Sequence, residues 1–423
     1  MSIQDPRELL TPLRFDINAK TLYARQRDKG VACVWNQALY LEHLKVWNGF
    51  FEAEPRKSGP HDFMNAFNAL LDSVKAEGWR ADAPPVPLKE GSPYNGAHRV
   101  AAAITYGHLP ATTDQITSGR AQCDWTFFRD KTDIVPNGLL PMFSDAMALE
   151  YIRHKRKVHT VSLFGADRID CAAAEALLSR FATIVYAKTV QLSELGKFNY
   201  MLQLYENEPW IGTAENGHAG LHFKKQACFG DSGAVRVYLI EAEGLEPLIE
   251  CKRLIRAHYG RENHSVHIND SWRETWEIAS AVFHGNSLAF LNQGRPLSQP
   301  RFNAWFQLYR DWVMQSQDVE DLCVVSSAVL AAYGLRDCRD LDFLSHAEPP
   351  PATPHPGLGC HNKEIEHYGV HRDEIIYNPQ HHFYHRGLKF CTLNVVKVMK
   401  WKRREPKDLA DLQLILEFEG SKA

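Results

Sequence analysis

The stretch from Val324 to Leu344 constrains this chain more than any other, because it sets a strand, a tight turn, a short helix and a second strand in fixed order. Val324-Val325 reads as the end of a buried strand, Ser326-Ser327 as a turn, and Ser327 to Tyr333 (SAVLAAY) as a good helix former opened by a serine. Gly334 ends that helix, and Arg339-Asp340-Leu341-Asp342-Phe343-Leu344 returns as a strand. In an extended chain alternate side chains share a face, so Asp340 and Asp342 project together while Leu341 and Phe343 enter the core. Two carboxylates held that close repel unless a cation lies between them. Magnesium suits such a pair, since it takes hard oxygen ligands, often only one or two carboxylates, and completes its shell with phosphate oxygens and water.

This order of small-residue turn, helix, return strand and Asp-x-Asp resembles the nucleotidyltransferase superfamily over the C-terminal part of the chain, residues 316–423. The resemblance implies that Asp340 and Asp342 hold Mg2+ and act catalytically. It also implies that Ser326 and Ser327 receive the phosphates of a nucleoside triphosphate substrate, and that a later strand adds a third carboxylate to the metal. Glu366 and Glu374 are both candidates for that carboxylate, because apolar neighbours flank each. Ser326 departs from the family, which usually carries glycine there, and a side chain limits how closely the backbone can approach a phosphate. The closing run Val395 to Leu416 reads as one helix carrying Lys397, Lys400, Lys402, Arg403, Arg404, Lys407, Asp408 and Asp411, most of them expected on a solvated face. Histidines crowd the same region (His346, His355, His361, His367, His371, His381, His382 and His385). Without a paired-cysteine or His-Glu-x-x-His pattern, they are expected to meet substrate phosphate or lie at the surface rather than to bind structural zinc.

A second feature lies near the other end, where Val86-Pro87-Leu88-Lys89 leads through a loop to Tyr94-Asn95-Gly96-Ala97-His98-Arg99. Gly96 permits a tight entry into a helix whose first turn carries a histidine and an arginine, a pattern suited to an anion. The segment resembles the Gly-x-His-Arg motif of the ParB/sulfiredoxin fold, which includes kinases, sulfiredoxins and CTP-binding partition proteins. The resemblance implies phosphate binding by Gly96, His98 and Arg99, with Glu90 the nearest carboxylate available as a base. No sulfiredoxin cysteine precedes the motif.

At 423 residues the chain is too long for one ordinary core. The expected organisation is α/β and α+β multidomain: residues 1–115 ParB/sulfiredoxin-like, 116–315 a mixed α/β domain, and 316–423 nucleotidyltransferase-like. In the middle, strands are expected at Val158–Phe164, Ala182–Val190 and Ala234–Ile240, and helices at Ala146–Arg153, Leu248–His258, Trp272–Phe283 and Phe302–Val313. Lys224-Lys225, Lys252-Arg253, Arg256 and the run His264 to Asp270 combine cations with polar loop residues there. His267 and Asp270 are candidates for substrate contact or proton transfer, the alternative being bonds to one another or to backbone. The glycine-rich stretch Gly212 to Gly220 lacks the ending of a P-loop.

A formal net charge of −3 gives no general footprint for nucleic acid. Nine cysteines at long spacings read as reduced thiols, and neither a leader pattern nor a membrane-length apolar run is evident. The expectation is a soluble, cytoplasmic transferase, magnesium-dependent, moving a nucleotidyl or phosphoryl group from a nucleoside triphosphate to a small hydroxyl or phosphate acceptor. Its expected partners are that nucleotide and that acceptor, with no membrane. Family analogy alone extends this to building blocks of bacterial surface polysaccharide. A small-molecule kinase centred on Gly96 to Arg99, with a degenerate C-terminal domain, and a nucleotide-regulated DNA-binding protein stand as alternatives.

Overall fold

The computed structural model describes residues 2–3, 5–53, 55–80, 82–114, 123–131, 139–213, 216–316 and 318–421. Its strands, in chain order, are β1 (Ser2–Ile3), β2 (Phe51–Glu52), β3 (Lys57–Ser58), β4 (Val86–Lys89), β5 (Ser92–Pro93), β6 (Ala111–Asp114), β7 (Val158–Phe164), β8 (Thr183–Gln191), β9 (Ala234–Glu241), β10 (Val266–Ile268), β11 (Leu322–Val325), β12 (Leu341–Ser345), β13 (Leu358–Cys360), β14 (His382–His385) and β15 (Leu388–Cys391). They form a four-stranded sheet of order β1-β6-β4-β5, a second of order β10-β7-β9-β8, a five-stranded sheet of order β13-β12-β11-β15-β14, and the hairpin β2-β3. The chain is therefore mixed α/β. The boundary expected at 115–116 lies outside the described residues, as do Gln317 at the second boundary and Ala214 and Glu215 in the glycine-rich stretch.

In the first sheet β4 runs parallel to β6, with the helix Ala97–Tyr106 lying between them in sequence. The helix Ile17–Asp28 is buried along most of its length despite its polar sequence, including Asn18, Lys20 and Gln26. Burial of those groups requires partners. Lys20 finds Asp16 at 2.7 Å, and Arg25 reaches Glu150 at 2.8 Å from a different part of the chain.

The middle sheet is antiparallel throughout, and its central strands β7 and β9 are buried along nearly their whole length. Along β9, Val235, Val237 and Leu239 join the main apolar cluster, whereas Tyr238 and Ile240 join a second cluster under the helices Cys171–Leu178 and Leu245–Tyr259. That division is the two-residue period of a strand expressed as two interiors. The main cluster does not stop at this sheet: it takes in Phe15 and Val86 before it and Val324 and Phe390 after it.

The third sheet is mixed. β11 pairs antiparallel with β12 and parallel with β15, and β12 pairs parallel with β13. Leu341 and Phe343 are fully buried, as strand alternation requires of the residues between and beyond the two aspartates. The run expected as one helix is instead two, Leu393–Arg403 and Pro406–Gly420. Pro406 lacks an amide hydrogen and disfavours helical geometry in the residue before it, and the chain turns at Arg404 with φ 56°. Nor is its charge mainly a solvated face. Lys400, Asp408 and Asp411 are buried in one network, with Lys400 Nζ at 3.1 Å from Asp408 and 2.6 Å from Asp411. Burial pushes the Asp408 carboxyl up, but hydrogen bonds from Arg403 and Lys400 outweigh it and hold the group at about 2.

Candidate active site

β11 delivers the chain to Ser326, and β12 returns beside it. The register pairs Val325 with Asp342, so the second aspartate stands across from the last strand residue before the turn. Ser326, Ser327, Asp340 and Asp342 line one cavity of about 450 Å3. The pair of aspartates and the pair of serines expected from sequence therefore meet.

Backbone strain marks the turn. Ser326 has φ 61° and ψ −138°, a region that glycine adopts freely and serine does not. Ser326→Gly is expected to raise stability by about 1 kcal/mol, the strain released outweighing the extra freedom glycine brings to the unfolded chain. A urea midpoint unchanged or lowered would refute that.

Glycine also makes room at the opposite edge. Gly359 on β13 pairs with Asp342, and a β-carbon there would stand 3.1 Å from Asp342 Oδ1. From the same side His361 brings Nε2 to 3.2 Å from that oxygen, and its Nδ1 lies 3.2 Å from the hydroxyl of buried Tyr368. If Tyr368 donates to Nδ1, Nε2 carries the proton and donates to Asp342, which fixes the carboxylate's orientation. Trp305 holds the start of the strand, its indole N–H donating to the Arg339 carbonyl at 2.7 Å.

Cations close the other wall. Arg336, Arg339, Lys400, Arg403 and Lys407 line the cavity against only Asp340, Asp342 and Asp411 among carboxylates. Arg336 is clamped to Asp411, with Nη2 at 2.7 Å, and Arg403 to Asp408 at 2.8 Å. Arg339 is exposed. The break at Arg404 matters here, because it folds the second helix back so that Lys407 and Asp411 face the same space as Lys400 and Arg403. The sequence reads Lys400, Arg403 and Lys407 as parts of one helix, and its only sign of the fold-back is Glu405-Pro406. Nothing local distinguishes His361 from the histidines around it, since its partner lies 19 positions away on another strand.

Glu366 and Glu374 do not line this cavity. The Glu366 side chain is 79% exposed beside His367, and Glu374 accepts from the Val34 amide at 2.7 Å and from Asn378 at 2.9 Å. Among the described residues no group of three or more His, Cys, Asp and Glu is arranged to hold a metal ion. Asp340 and Asp342 are the two carboxylates of the expected pair that line this cavity.

The N-terminal candidates are engaged internally. Gly96 caps the helix Ala97–Tyr106 at φ 84°, and the Arg99 guanidinium folds over it to donate to the Pro84 carbonyl. His98 packs edge-on against Tyr40 and Phe67 and meets the Tyr40 hydroxyl at 3.0 Å. Burial lowers its pKa well below the usual histidine value, so the ring is neutral. Glu90 is exposed in the turn between β4 and β5, at φ 51°.

Comparison with protein-family models, curated proteins and solved structures finds no match for this chain.

Proposed function

We propose that this chain is a magnesium-dependent transferase that moves a nucleotidyl or phosphoryl group from a nucleoside triphosphate to a small hydroxyl or phosphate acceptor at the cavity of Asp340 and Asp342. The observation that carries this reading is the convergence of a strained Ser326-Ser327 turn, two neighbouring aspartates and a wall of arginine and lysine in one space. Asp340 and Asp342 would hold the metal, which when bound supplies charge neutralisation at the phosphates. His361 keeps the Asp342 carboxylate in one orientation. Arg339 and Lys407 face the cavity without being locked into its buried ion network, and they supply positive charge to a polyphosphate tail. Catalysis of this kind rests on positioning and electrostatics rather than on covalent participation by the protein.

The nucleotidyl form is favoured over the kinase alternative centred on Gly96 to Arg99, since Arg99 and His98 are committed to backbone and aromatic partners. The test is product analysis after incubation with ATP, CTP, GTP or UTP, magnesium, and a panel of sugar phosphates and small hydroxy compounds. Pyrophosphate together with a nucleotidylated acceptor is the expected outcome. Nucleoside diphosphate whose formation requires Arg99 would place the chemistry at the other end of the chain and overturn the reading.

A further inference from the structure

A separate groove of about 640 Å3 opens on the middle sheet. One wall is cationic. Lys224 comes from the helix Ala219–Phe229, and Lys252 and Arg256 come from the helix Leu245–Tyr259. Lys252 and Arg256 are four residues apart, a spacing that puts both on one helix face, where like charges destabilise the helix. Arg253, on another face of that helix, is paired with Glu250 at 2.6 Å.

The groove cations have no such direct ion pair, although Asp270 and Glu274 act on Lys252 from farther off. Among the described residues no carboxylate lies within 4.0 Å of Lys224, Lys252 or Arg256 nitrogens. Lys224 donates to the Asn263 carbonyl at 2.6 Å and Lys252 to the Ile268 carbonyl at 3.3 Å, while Arg256 Nε is buried with no partner. Burial and the neighbouring Lys252, Lys224 and Arg256 push His267 down to about 3. It is therefore a neutral ring set among three cations, able to donate one hydrogen bond without adding charge.

Beside these groups lie flat apolar surfaces. Trp210 is 44% exposed and Phe223 71% exposed, and both line the groove. Tyr205 packs against both Trp210 and His267, 5.1 Å from each between ring centroids. Of the carboxylates present, Glu274 is committed to the amides of Asp270 and Ser271. Together with Glu208 and Asp270 it makes the groove unsuited to a long polyanion such as nucleic acid.

We infer that this groove binds a small organic phosphate, with its phosphoryl oxygens among Lys224, Lys252, Arg256 and His267 and its organic part against Trp210 and Phe223. A phosphomonoester matches because it carries close to two negative charges and three strong acceptor oxygens, enough to engage several cations at once. A single carboxylate offers half that charge. The organic part is a nucleoside or a sugar, since both can lie against aromatic faces. This site is distinct from the cavity of Asp340 and Asp342, and the inference does not depend on the transferase reading.

Calorimetric titration of the full chain with inorganic phosphate, AMP and glucose 6-phosphate, without divalent cation, tests it. At least one organic phosphate binds, with an affinity weakened about tenfold or more in Lys252→Gln and in Arg256→Gln, and retained in Lys252→Arg and in Arg253→Gln, which alters another face of the same helix instead. AMP binding tighter than glucose 6-phosphate, with the advantage lost in Trp210→Ala, identifies the nucleotide; the reverse preference identifies the sugar phosphate. Without ligand, Lys252→Gln is expected to be no less stable than the parent, because it removes repulsion. Failure of all three probes to bind at millimolar concentration, or equal binding by the parent and both glutamine variants, overturns the inference.

Discussion

Asp342→Asn is expected to reduce magnesium-dependent pyrophosphate release by about a thousandfold, and Asp340→Asn similarly, because losing one metal-binding carboxylate removes several kcal/mol of charge stabilisation from the reacting phosphates. Asparagine keeps an oxygen where His361 Nε2 now finds Asp342 at 3.2 Å, so local packing survives. Stability should change by no more than about 0.5 kcal/mol, as for most substitutions outside a buried network. Activity within a few-fold of the parent in both variants, measured as pyrophosphate at saturating nucleotide, would remove the aspartates from the chemistry. The Arg336–Asp411 pair supplies the contrast, since breaking it disturbs the fold-back of the last helix and should lower stability and activity together.

The largest effect on stability is expected far from that cavity. Asp16 is fully buried and holds two buried cations, Arg14 at 2.9 Å and Lys20 at 2.7 Å; Lys20 Nζ also donates to His43 Nε2 at 2.8 Å. Asp16→Asn leaves those cations without their countercharge, a loss of about 3–5 kcal/mol for a buried pair. The urea midpoint reads this directly, and a change below about 1 kcal/mol would mean that the cluster relaxes into water. The same group sets an acid limit. Burial pushes the Asp16 carboxyl up, but Arg14 and Lys20 outweigh it and hold the folded value far below the ordinary 3.8. Its contribution is therefore complete above that ordinary value and declines as pH falls below it, where the unfolded chain binds the proton more readily than the folded one. Asp16→Asn should flatten the pH dependence of stability in that range.

Much of this architecture is legible in sequence, and the reason differs from element to element. β7 is read over Val158–Phe164 because polar and apolar residues alternate along much of it, with charge before and Gly165 after. The turn and aspartates at 326–342 are legible because all of their geometry is local: strand, turn, helix and strand follow within one short segment. The helix Ile17–Asp28 shows the opposite case. Nothing local marks it as buried: Lys20 finds Asp16, but Arg25 is satisfied by Glu150, over a hundred positions later. The groove cations are visible as residues, but their convergence is not, since it depends on how the helices Ala219–Phe229 and Leu245–Tyr259 both pack around Glu262–His264. His361 likewise acquires its meaning only when β13 is laid alongside β12.

The apolar cluster that threads all three sheets has a practical consequence for anyone dividing this chain. A fragment ending before β11 would leave Phe290 and Phe302 without the rings of Phe383 and Phe390 that they pack against, and the excised C-terminal piece would carry the complementary bare face. Neither half owns a sealed interior. Truncation is thus a route to sticky, associating material, and the roles of the two cavities are better separated by point substitutions in the intact polypeptide.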